Sequence, residues 1–244
     1  MNSIRIRFTR GEEVKFISHL DLMKSFERAI RRSGLPIAYS QGFNPHPQMV
    51  FGLPLSVGVT SESEYADFEL AQEVKPEQFM EALNGSLPNA IRIIGAKEKY
   101  IKTNIMASIS GADYALDIFM NEVFSLEAAA KKLEMLMEKD SIKVLKEGKG
   151  AAKEIDIRSL ILDAKLEIIE RVPFGYEEFK SAFTVFTRFK AGSAANLRPE
   201  LFIKALVEQA ELPVVTSRLH RKALYVEKNG GMADPMDSAV LNNV

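Results

Sequence analysis

The sequence contains no cysteine among its 244 residues. This absence excludes disulfide bonds, cysteine-ligated iron–sulfur clusters, thiolate zinc sites and cysteine nucleophiles from the chain itself. Any redox or radical chemistry in which the protein takes part must therefore come from a partner. We accordingly expect a binding protein rather than an autonomous redox or radical enzyme, and we predict no cofactor and no metal of its own.

Long apolar runs and familiar catalytic signatures are also missing. No stretch reaches the roughly 18 apolar residues that a membrane span needs, and the opening MNSIRIRFTR shows no apolar core of a signal peptide. These features predict a soluble, cytoplasmic protein without a membrane partner. The sequence has no G-x-x-x-x-G-K-[ST], G-x-S-x-G, dinucleotide-binding or paired-carboxylate pattern, so none of the corresponding enzyme classes is supported.

Charge is nearly balanced over the whole chain but unevenly distributed along it. The formal net charge is −1. Residues 1–50 carry eight Lys/Arg and four Asp/Glu, whereas residues 51–100 carry four and eight. Residues 181–222 carry seven Lys/Arg and three Asp/Glu. Two basic segments far apart in sequence either meet to form a local positive field or are ordinary solvated faces.

Hydrophobic periodicity predicts a first unit with the order β-α-β-β-α-β. Residues 4–8 alternate apolar and polar side chains, as in a half-buried strand. A helix is expected over about 20–33, where Ser18 and Asp21 have the spacing of a capping box and Gly34 ends the helical pattern. The other elements expected in this unit are strands at 50–59, 65–70 and 90–96 and a helix at 76–87.

The second half repeats this order with an inserted β-hairpin. The expected strands are at 114–119, 142–145, 155–162, 164–169, 182–189 and 214–226, with helices at 125–139 and 199–209. We therefore predict an α+β fold of tandem ferredoxin-like (βαββαβ) domains with antiparallel sheets. The N-terminal domain is placed at 1–104, the C-terminal domain at 105–227 and a flexible tail at 228–244.

The first candidate site is the basic face of the helix over 20–33. Lys24, Arg28, Arg31 and Arg32 are spaced so that they share one helical face. Such a stripe can bind phosphates or an acidic partner. The alternative is a solvated face in which Glu27 pairs with Arg31.

The loop SQGFNPHP is the second feature of this stretch. Gly42 permits a left-handed or closely approached backbone, and prolines fix the chain on both sides of His46. Phe43 and Asn44 add an aromatic face and an amide, which is typical of a recognition loop. The alternative is a simple Asn-Pro turn in which His46 bonds a carbonyl.

His19 and Asp21, at the start of the helix, could join His46 in a metal site or in acid–base chemistry. The spacing matches no established metal motif, and Asp21 has a competing role as the acid of the helix start. Either histidine is a candidate general acid or base, but no catalytic residue is assigned.

A third candidate lies in TRFKAGSAANLRPELFIKAL, where a small-residue loop leads into a helix. Free N–H groups at a helix start favour anions, and Arg188, Lys190 and Arg198 would add charge. The alternative is a tight βα turn. In the last strand Arg218 shares a face with two further basic residues, while Asp156 and Arg158 share a strand face that fits an ion pair as well as a site.

The residues expected to bind RNA or a partner protein therefore fall into two groups, near the two basic segments. They are Lys15, Ser18, His19, Asp21, Lys24, Arg28, Arg31, Ser40, Gln41, Gly42, Phe43, Asn44, His46, Arg188, Lys190, Ser193, Asn196, Arg198 and Arg218.

Several long runs carry a family resemblance. FISHLDLMKSFERAIRRSGLPIAYSQGFNPHP, PLSVGVTSESEYADFEL, EIDIRSLI and RFKAGSAANLRPEL resemble the radical-SAM-linked protein family, also called domain of unknown function 2344, over about residues 3–225. The resemblance implies the stand-alone form of this domain, with a radical SAM protein as a separate partner chain, and it implies no established reaction. The element order is also similar to that of tandem ferredoxin-like RNA-binding proteins of CRISPR systems, which is analogy of fold alone.

Three functions follow as alternatives. The first is an accessory protein that presents tRNA or rRNA in a basic cleft to the radical SAM protein. The second is a protein-interaction subunit without nucleic acid. The third is an RNA-processing or RNA-modifying enzyme that uses His19 or His46.

Overall fold

The structure is a computed structural model that describes residues 2–147, 151–169 and 171–242. The chain divides into two compact units. Unit 1 consists of Met1–Gly111 and Arg221–Val244, and unit 2 consists of Ala112–His220. The C-terminal end of the chain thus belongs to unit 1 rather than to a region beyond both units.

Unit 1 has the element order that its hydrophobic pattern predicts. Strand β1 pairs antiparallel with β3 and β4, and β2 pairs antiparallel with β3. The strand order is therefore β4-β1-β3, with β2 also on β3. The elements are β1 (Asn2–Arg10), α1 (His19–Ser33), β2 (Met49–Phe51), β3 (Val59–Leu70), α2 (Pro76–Asn84), β4 (Ile91–Glu98) and the short α3 (Ile105–Ser108).

Alternation along β1 explains how unit 1 builds its core. Ile4, Ile6 and Phe8 are almost completely buried and pack in one cluster with Phe26 of α1 and Phe79 of α2. Their ring and branched side chains leave water together, which is the main stabilising contribution to such a core. The intervening residues of β1 lie on the opposite face of the sheet.

The C-terminal segment, for which a flexible tail was predicted at 228–244, forms regular elements up to residue 242 and covers part of that opposite face. Strand β10 (Val214–Lys228) turns into β11 (Gly231–Ala233), and α6 (Ser238–Leu241) follows. Val240 and Leu241 are buried. Residues 229–242 lack periodicity, and contacts with distant residues hold the segment instead. Residues 243–244 lie outside the described part.

Unit 2 contains a second antiparallel arrangement and a separate hairpin. Its strand order is β10-β5-β9-β8, and β6 pairs only with β7 in a two-stranded sheet. The elements are β5 (Ile109–Met120), α4 (Leu126–Met137), β6 (Lys143–Lys146), β7 (Lys153–Asp156), β8 (Ile161–Ile168), β9 (Ser181–Lys190), α5 (Pro199–Glu208) and part of β10. Residues 148–150, between β6 and β7 of the predicted hairpin, lie outside the described residues.

Two predicted strands are interrupted. The strand expected at 50–59 is limited to Met49–Phe51. The strand expected at 155–162 is broken by a 3-10 turn at Arg158–Leu160. In the second case Asp156 and Arg158 do not share a strand face, because both lie at the turn and hold it by hydrogen bonds.

The turn at Arg158–Leu160 is held by hydrogen bonds to both residues. The Asp156 carboxylate accepts the N–H groups of Arg158 and Ile142 at 3.0 and 2.9 Å. These two bonds lower the pKa of Asp156. The Arg158 guanidinium donates to the carbonyls of Met137 and Lys139, each at 3.1 Å.

The described helices are all too short or too polar to cross a membrane.

Candidate functional site

The start of α1 is fixed by the predicted cap. Ser18 precedes the first turn, and its Oγ accepts the N–H of Asp21 at 3.1 Å. The same hydroxyl donates to the Asp21 carboxylate at 2.7 Å. Asp21 is therefore the acid of the helix start. At the other end Gly34 adopts a left-handed conformation with φ of 68° and closes the helix.

The basic face of α1 is exposed. Lys24, Arg28 and Arg31 are all exposed, and within the described part of the chain neither Arg28 nor Arg31 forms an ion pair. Lys24 lies only loosely against Asp21, at 4.0 Å. The expected alternative, a Glu27–Arg31 pair, is not formed among the described residues.

The Glu27 carboxylate lies instead beside the imidazole of His46, in the loop SQGFNPHP. His46 Nδ1 lies 3.9 Å from Glu27 Oε1, so the loop lies beside α1. The loop closes on itself: the N–H of Ser40 donates to the His46 carbonyl at 2.9 Å, and the N–H of His46 donates to Ser40 Oγ at 3.0 Å. Tyr39 and Pro47 form an isolated bridge at its base.

The tip of this loop is fully open to solvent. Gly42 has φ of 133°, a conformation that other residues rarely adopt, and its surroundings are empty. Phe43 is completely exposed, at 106%, and Gln41 and Asn44 are exposed too. The loop is thus braced at its base and presents an aromatic ring to solvent.

We call this region the α1–loop surface. It consists of Lys24, Glu27, Arg28 and Arg31 of α1 together with residues 40–46. It combines cations, one carboxylate, an exposed aromatic ring and amides on unit 1.

His19 stands apart from His46. Its ring packs edge-on against Phe51, with centroids 5.7 Å apart. Partial burial, reinforced by the nearby Arg10, lowers the pKa of His19. Among the described residues no three His, Asp or Glu side chains cluster in a way that could hold a metal ion.

Beneath the start of α1 lies a buried charge network that the sequence patterns did not single out. The Arg221 guanidinium bonds the Glu64 carboxylate at 2.9 Å and the Leu53 carbonyl at 3.0 Å. Arg10 is equally buried and bonds the carbonyls of Val14 and Ile17. Desolvation lowers the pKa of Arg10, Glu64 opposes that shift, and Arg221 adds to it.

A sequence signal for Arg221 did exist. Strand alternation puts it on the face opposite Arg218 and His220, which is the inward face at this point of β10. The pairing with Glu64, 157 residues away, has no counterpart in local patterns.

A second buried network ties the opposite face of the unit 1 sheet together. Arg5 makes two bonds to the Asp67 carboxylate, at 2.7 and 3.0 Å, and Lys99 lies 3.4 Å from the same group. Burial raises the pKa of Tyr65 to about 12, so its hydroxyl remains a donor, and it bonds Asp234 at 3.3 Å. These bonds are structural.

The remaining predicted residues lie at other positions. Lys15 pairs with Glu12 at 2.6 Å and lies over the Phe16 ring. In unit 2, Arg188 makes a two-bonded ion pair with Asp113 at 2.7 and 2.8 Å. The Asp113 carboxylate therefore occupies the Arg188 guanidinium, which was expected to add charge to an anion site.

The small-residue loop of unit 2 is a closed turn with exposed polar groups. The N–H of Leu197 donates to the Lys190 carbonyl at 3.0 Å. The exposed predicted residues here are Lys190, Ser193, Asn196 and Arg198. Arg198 precedes α5 without a side-chain cap, and Arg218 lies over the Tyr176 ring at 5.8 Å.

These features define a mixed α+β protein with an exposed basic surface on unit 1. The chain belongs to the family DUF2344, described as "Uncharacterized protein conserved in bacteria", which matches residues 3–199. No curated protein matches the chain.

One similar solved structure is described as "Crystal Structure of a Cbf5-Nop10-Gar1 Complex". The similarity has a TM-score of 0.47 and 11% sequence identity, and it covers 93% of this chain and 50% of that chain. This protein thus corresponds to about half the length of that chain.

Proposed function

We propose that this protein is a non-catalytic accessory protein that holds RNA on the α1–loop surface for a radical SAM partner. The observation that carries the proposal is that Arg28 and Arg31 are exposed and form no ion pair within the described chain, on the helix that the loop of the fully exposed Phe43 approaches through His46 and Glu27. Cations that follow a backbone and an aromatic ring on which bases stack are the two components of single-strand recognition.

Free cations are the first support. Each phosphate that a cation neutralises releases condensed counterions, which gives affinity that falls with added salt. Cations already paired with carboxylates contribute less, because binding must first break the pair. Arg28 and Arg31 are free of such pairs in the described chain, whereas Arg188 is not.

The position of the loop is the second support. Its backbone closure at Ser40 and His46 reduces the entropy that Phe43 would lose on stacking with a base. The contact between His46 and Glu27 sets the loop beside the cations. A ring and cations held in this way need little rearrangement to bind.

The fold assignment is part of the same proposal. The order β4-β1-β3 with β2 on β3, and the order β10-β5-β9-β8 with an inserted β6-β7 hairpin, support two ferredoxin-like domains. Ferredoxin-like sheets serve many functions, so the proposed activity depends on the surface and not on the fold.

The radical SAM partner is supported by the family resemblance and by the absence of cysteine. A chain without cysteine cannot ligate an iron–sulfur cluster through thiolates. A role in radical chemistry therefore requires a second protein that supplies the cluster.

The test is RNA binding measured by fluorescence anisotropy with labelled single-stranded RNA at several salt concentrations. We expect the double variant Arg28→Gln/Arg31→Gln to bind more weakly and to lower the magnitude of the logarithmic salt slope by roughly 1.4, about 0.7 per contact. Phe43→Ala should weaken binding at every salt concentration, by roughly 1–3 kcal/mol, without changing the slope.

The matched control is Lys75→Gln/Lys102→Gln. It removes two exposed cations of unit 1 that are not part of the α1–loop surface. It should keep the wild-type slope. Equal losses in both double variants would mean that net charge, and not this surface, governs binding. Absent or salt-independent RNA binding would overturn the proposal.

An enzymatic role is the second candidate, favoured by the contact between His46 and Glu27. A histidine beside a carboxylate is the arrangement of an oriented general base, and the His46 side chain is 71% exposed. To separate the two functions, RNA is incubated with the protein and then analysed on denaturing gels and by nucleoside mass spectrometry. Intact, unmodified RNA excludes the enzymatic role for the protein alone.

A further inference from the structure

The face of the unit 1 sheet opposite α1 and α2 contains an open pocket. Its volume is about 230 Å³, and it is lined by Arg7, Lys97, Asp234, Met236 and Asp237. Arg7 and Lys97 belong to β1 and β4, and the other three residues belong to the C-terminal segment. None of them is part of the α1–loop surface.

Arg7 is the unusual member of this pocket. Its neighbour on the same face, Arg5, is saturated by Asp67 and by the Pro235 carbonyl at 2.9 Å. The Nε of Arg7 is buried, yet it has no hydrogen-bond partner among the described residues. The Arg7 side chain also lines the pocket and forms no ion pair within the described chain, so no described carboxylate neutralises its charge.

The two carboxylates of the pocket also differ in whether they have hydrogen-bond partners. Asp234 is engaged, because it accepts the N–H of Met236 at 2.7 Å and the hydroxyl of Tyr65 at 3.3 Å. Lys97 is also engaged, since its Nζ donates to the Met236 carbonyl at 3.0 Å. The Asp237 carboxylate has no bond or ion pair within the described chain and does not cap α6.

The pocket therefore holds two cations and two carboxylates, and of these the Arg7 guanidinium and the Asp237 carboxylate have no hydrogen-bond partner within the described chain. A simple anion on Arg7 would be repelled by the two aspartates, and a simple cation on Asp237 would be repelled by Arg7 and Lys97. A molecule that carries both charges a few bonds apart satisfies both groups.

We propose that this pocket binds a small zwitterion, a free α-amino acid, with its carboxylate on Arg7 and its ammonium group on Asp237. The planar guanidinium matches a carboxylate with two parallel bonds, and an ammonium group supplies three donors to a carboxylate. The volume lies below the roughly 300–1,000 Å³ typical of pockets for drug-sized ligands, which fits a ligand of amino-acid size.

Met236 determines which side chains fit. Its Sδ and Cε lie 3.6 Å from the place where a Cβ on Gly95 would be, so the thioether rests on the bare backbone of β4. It forms the apolar wall of the pocket, and this favours small or apolar amino acids over charged ones.

The experiment is isothermal titration calorimetry of the full chain with each standard amino acid, up to about 10 mM. The amino acid that binds best is then compared with its N-acetyl and its amide derivatives. N-acetylation removes the ammonium charge, and amidation removes the carboxylate. Because one charge-assisted bond is lost in each case, both derivatives should bind roughly 10- to 100-fold more weakly.

Variants of the two open groups give the second arm. Arg7→Gln and Asp237→Asn should each weaken binding by a similar factor, while the exposed controls Lys102→Gln and Asp140→Asn should not. Arg7→Lys keeps the charge but loses the planar guanidinium, so it should also weaken amino-acid binding. It replaces Arg7→Gln in the comparison if Arg7→Gln does not fold.

Three results would overturn the inference. The first is that no amino acid binds. The second is that the N-acetyl derivative binds as well as the free amino acid, which would indicate a plain anion site. The third is that Asp237→Asn binds with unchanged affinity. The inference does not rest on RNA binding, and loss of amino-acid binding in Arg7→Gln with intact RNA binding would show that the two are separate.

Discussion

At the scale of single residues, burial separates the two histidines of the 15–47 stretch. His46 is at the surface beside Glu27, whereas His19 packs against Phe51 and near Arg10. Burial and the neighbouring guanidinium both disfavour the charged imidazole, so the pKa of His19 is lowered from its usual value. In the folded protein His19 is therefore neutral at neutral pH.

This shift makes stability depend on pH in a defined direction. Above the unfolded pKa of about 6.5 both states hold neutral His19, and its contribution is fully present. As the pH falls below that value, the unfolded state takes up the proton first, and stability is lost until the folded pKa is passed. We predict that the free energy of unfolding falls between about pH 7 and pH 5 by less in His19→Gln than in the wild type.

Urea unfolding at a series of pH values measures this difference. His220→Gln is the comparison, since it also removes one histidine. If His19→Gln and the wild type lose the same stability over this range, His19 is not the group responsible.

At the scale of elements, the cap of α1 fixes the start of the helix that carries Lys24, Arg28 and Arg31. Ser18 satisfies an N–H that would otherwise be open at the first turn, ahead of Lys24 and Arg28. We predict that Ser18→Ala lowers stability by about 1 kcal/mol, whereas Ser18→Asn, which also caps, retains most of it. Thermal or urea unfolding gives the comparison, and equal losses in both variants would mean that the cap is not what Ser18 contributes.

The helices were the most predictable elements. Helix α1 was expected over about 20–33 and is found at His19–Ser33, because its cap, its apolar face and Gly34 are all local signals. The exposed basic face followed from the same spacing. The loop around Phe43 was predictable as a candidate because its glycine and prolines are local signals as well.

Contacts between distant residues could not be predicted in this way. Arg221 and Glu64 are 157 residues apart, and Arg5 and Pro235 are 230 apart. Nothing in the local pattern of 229–242 marks it as part of unit 1, since many of its bonds are to distant residues, among them Arg5 of β1, Tyr65 of β3 and Lys97 of β4. The pocket at Arg7 is lined in part by this segment. Local patterns therefore could not predict the pocket either.

At the scale of the whole molecule, the proposed function joins two components, RNA on the α1–loop surface and a radical SAM partner. If RNA is what the protein presents, RNA should also strengthen its association with the partner, because both proteins then contact the same strand.

We predict that a tagged form of this protein retains a purified radical SAM protein of the same organism more strongly with bound RNA than after RNase treatment. The double variant Arg28→Gln/Arg31→Gln should behave like the RNase-treated sample, and Lys75→Gln/Lys102→Gln like the untreated one. Retention is quantified at fixed salt, because electrostatic binding changes with ionic strength. Retention that is equal with and without RNase would instead identify a direct protein–protein contact, and the RNA would then have no part in joining the two chains.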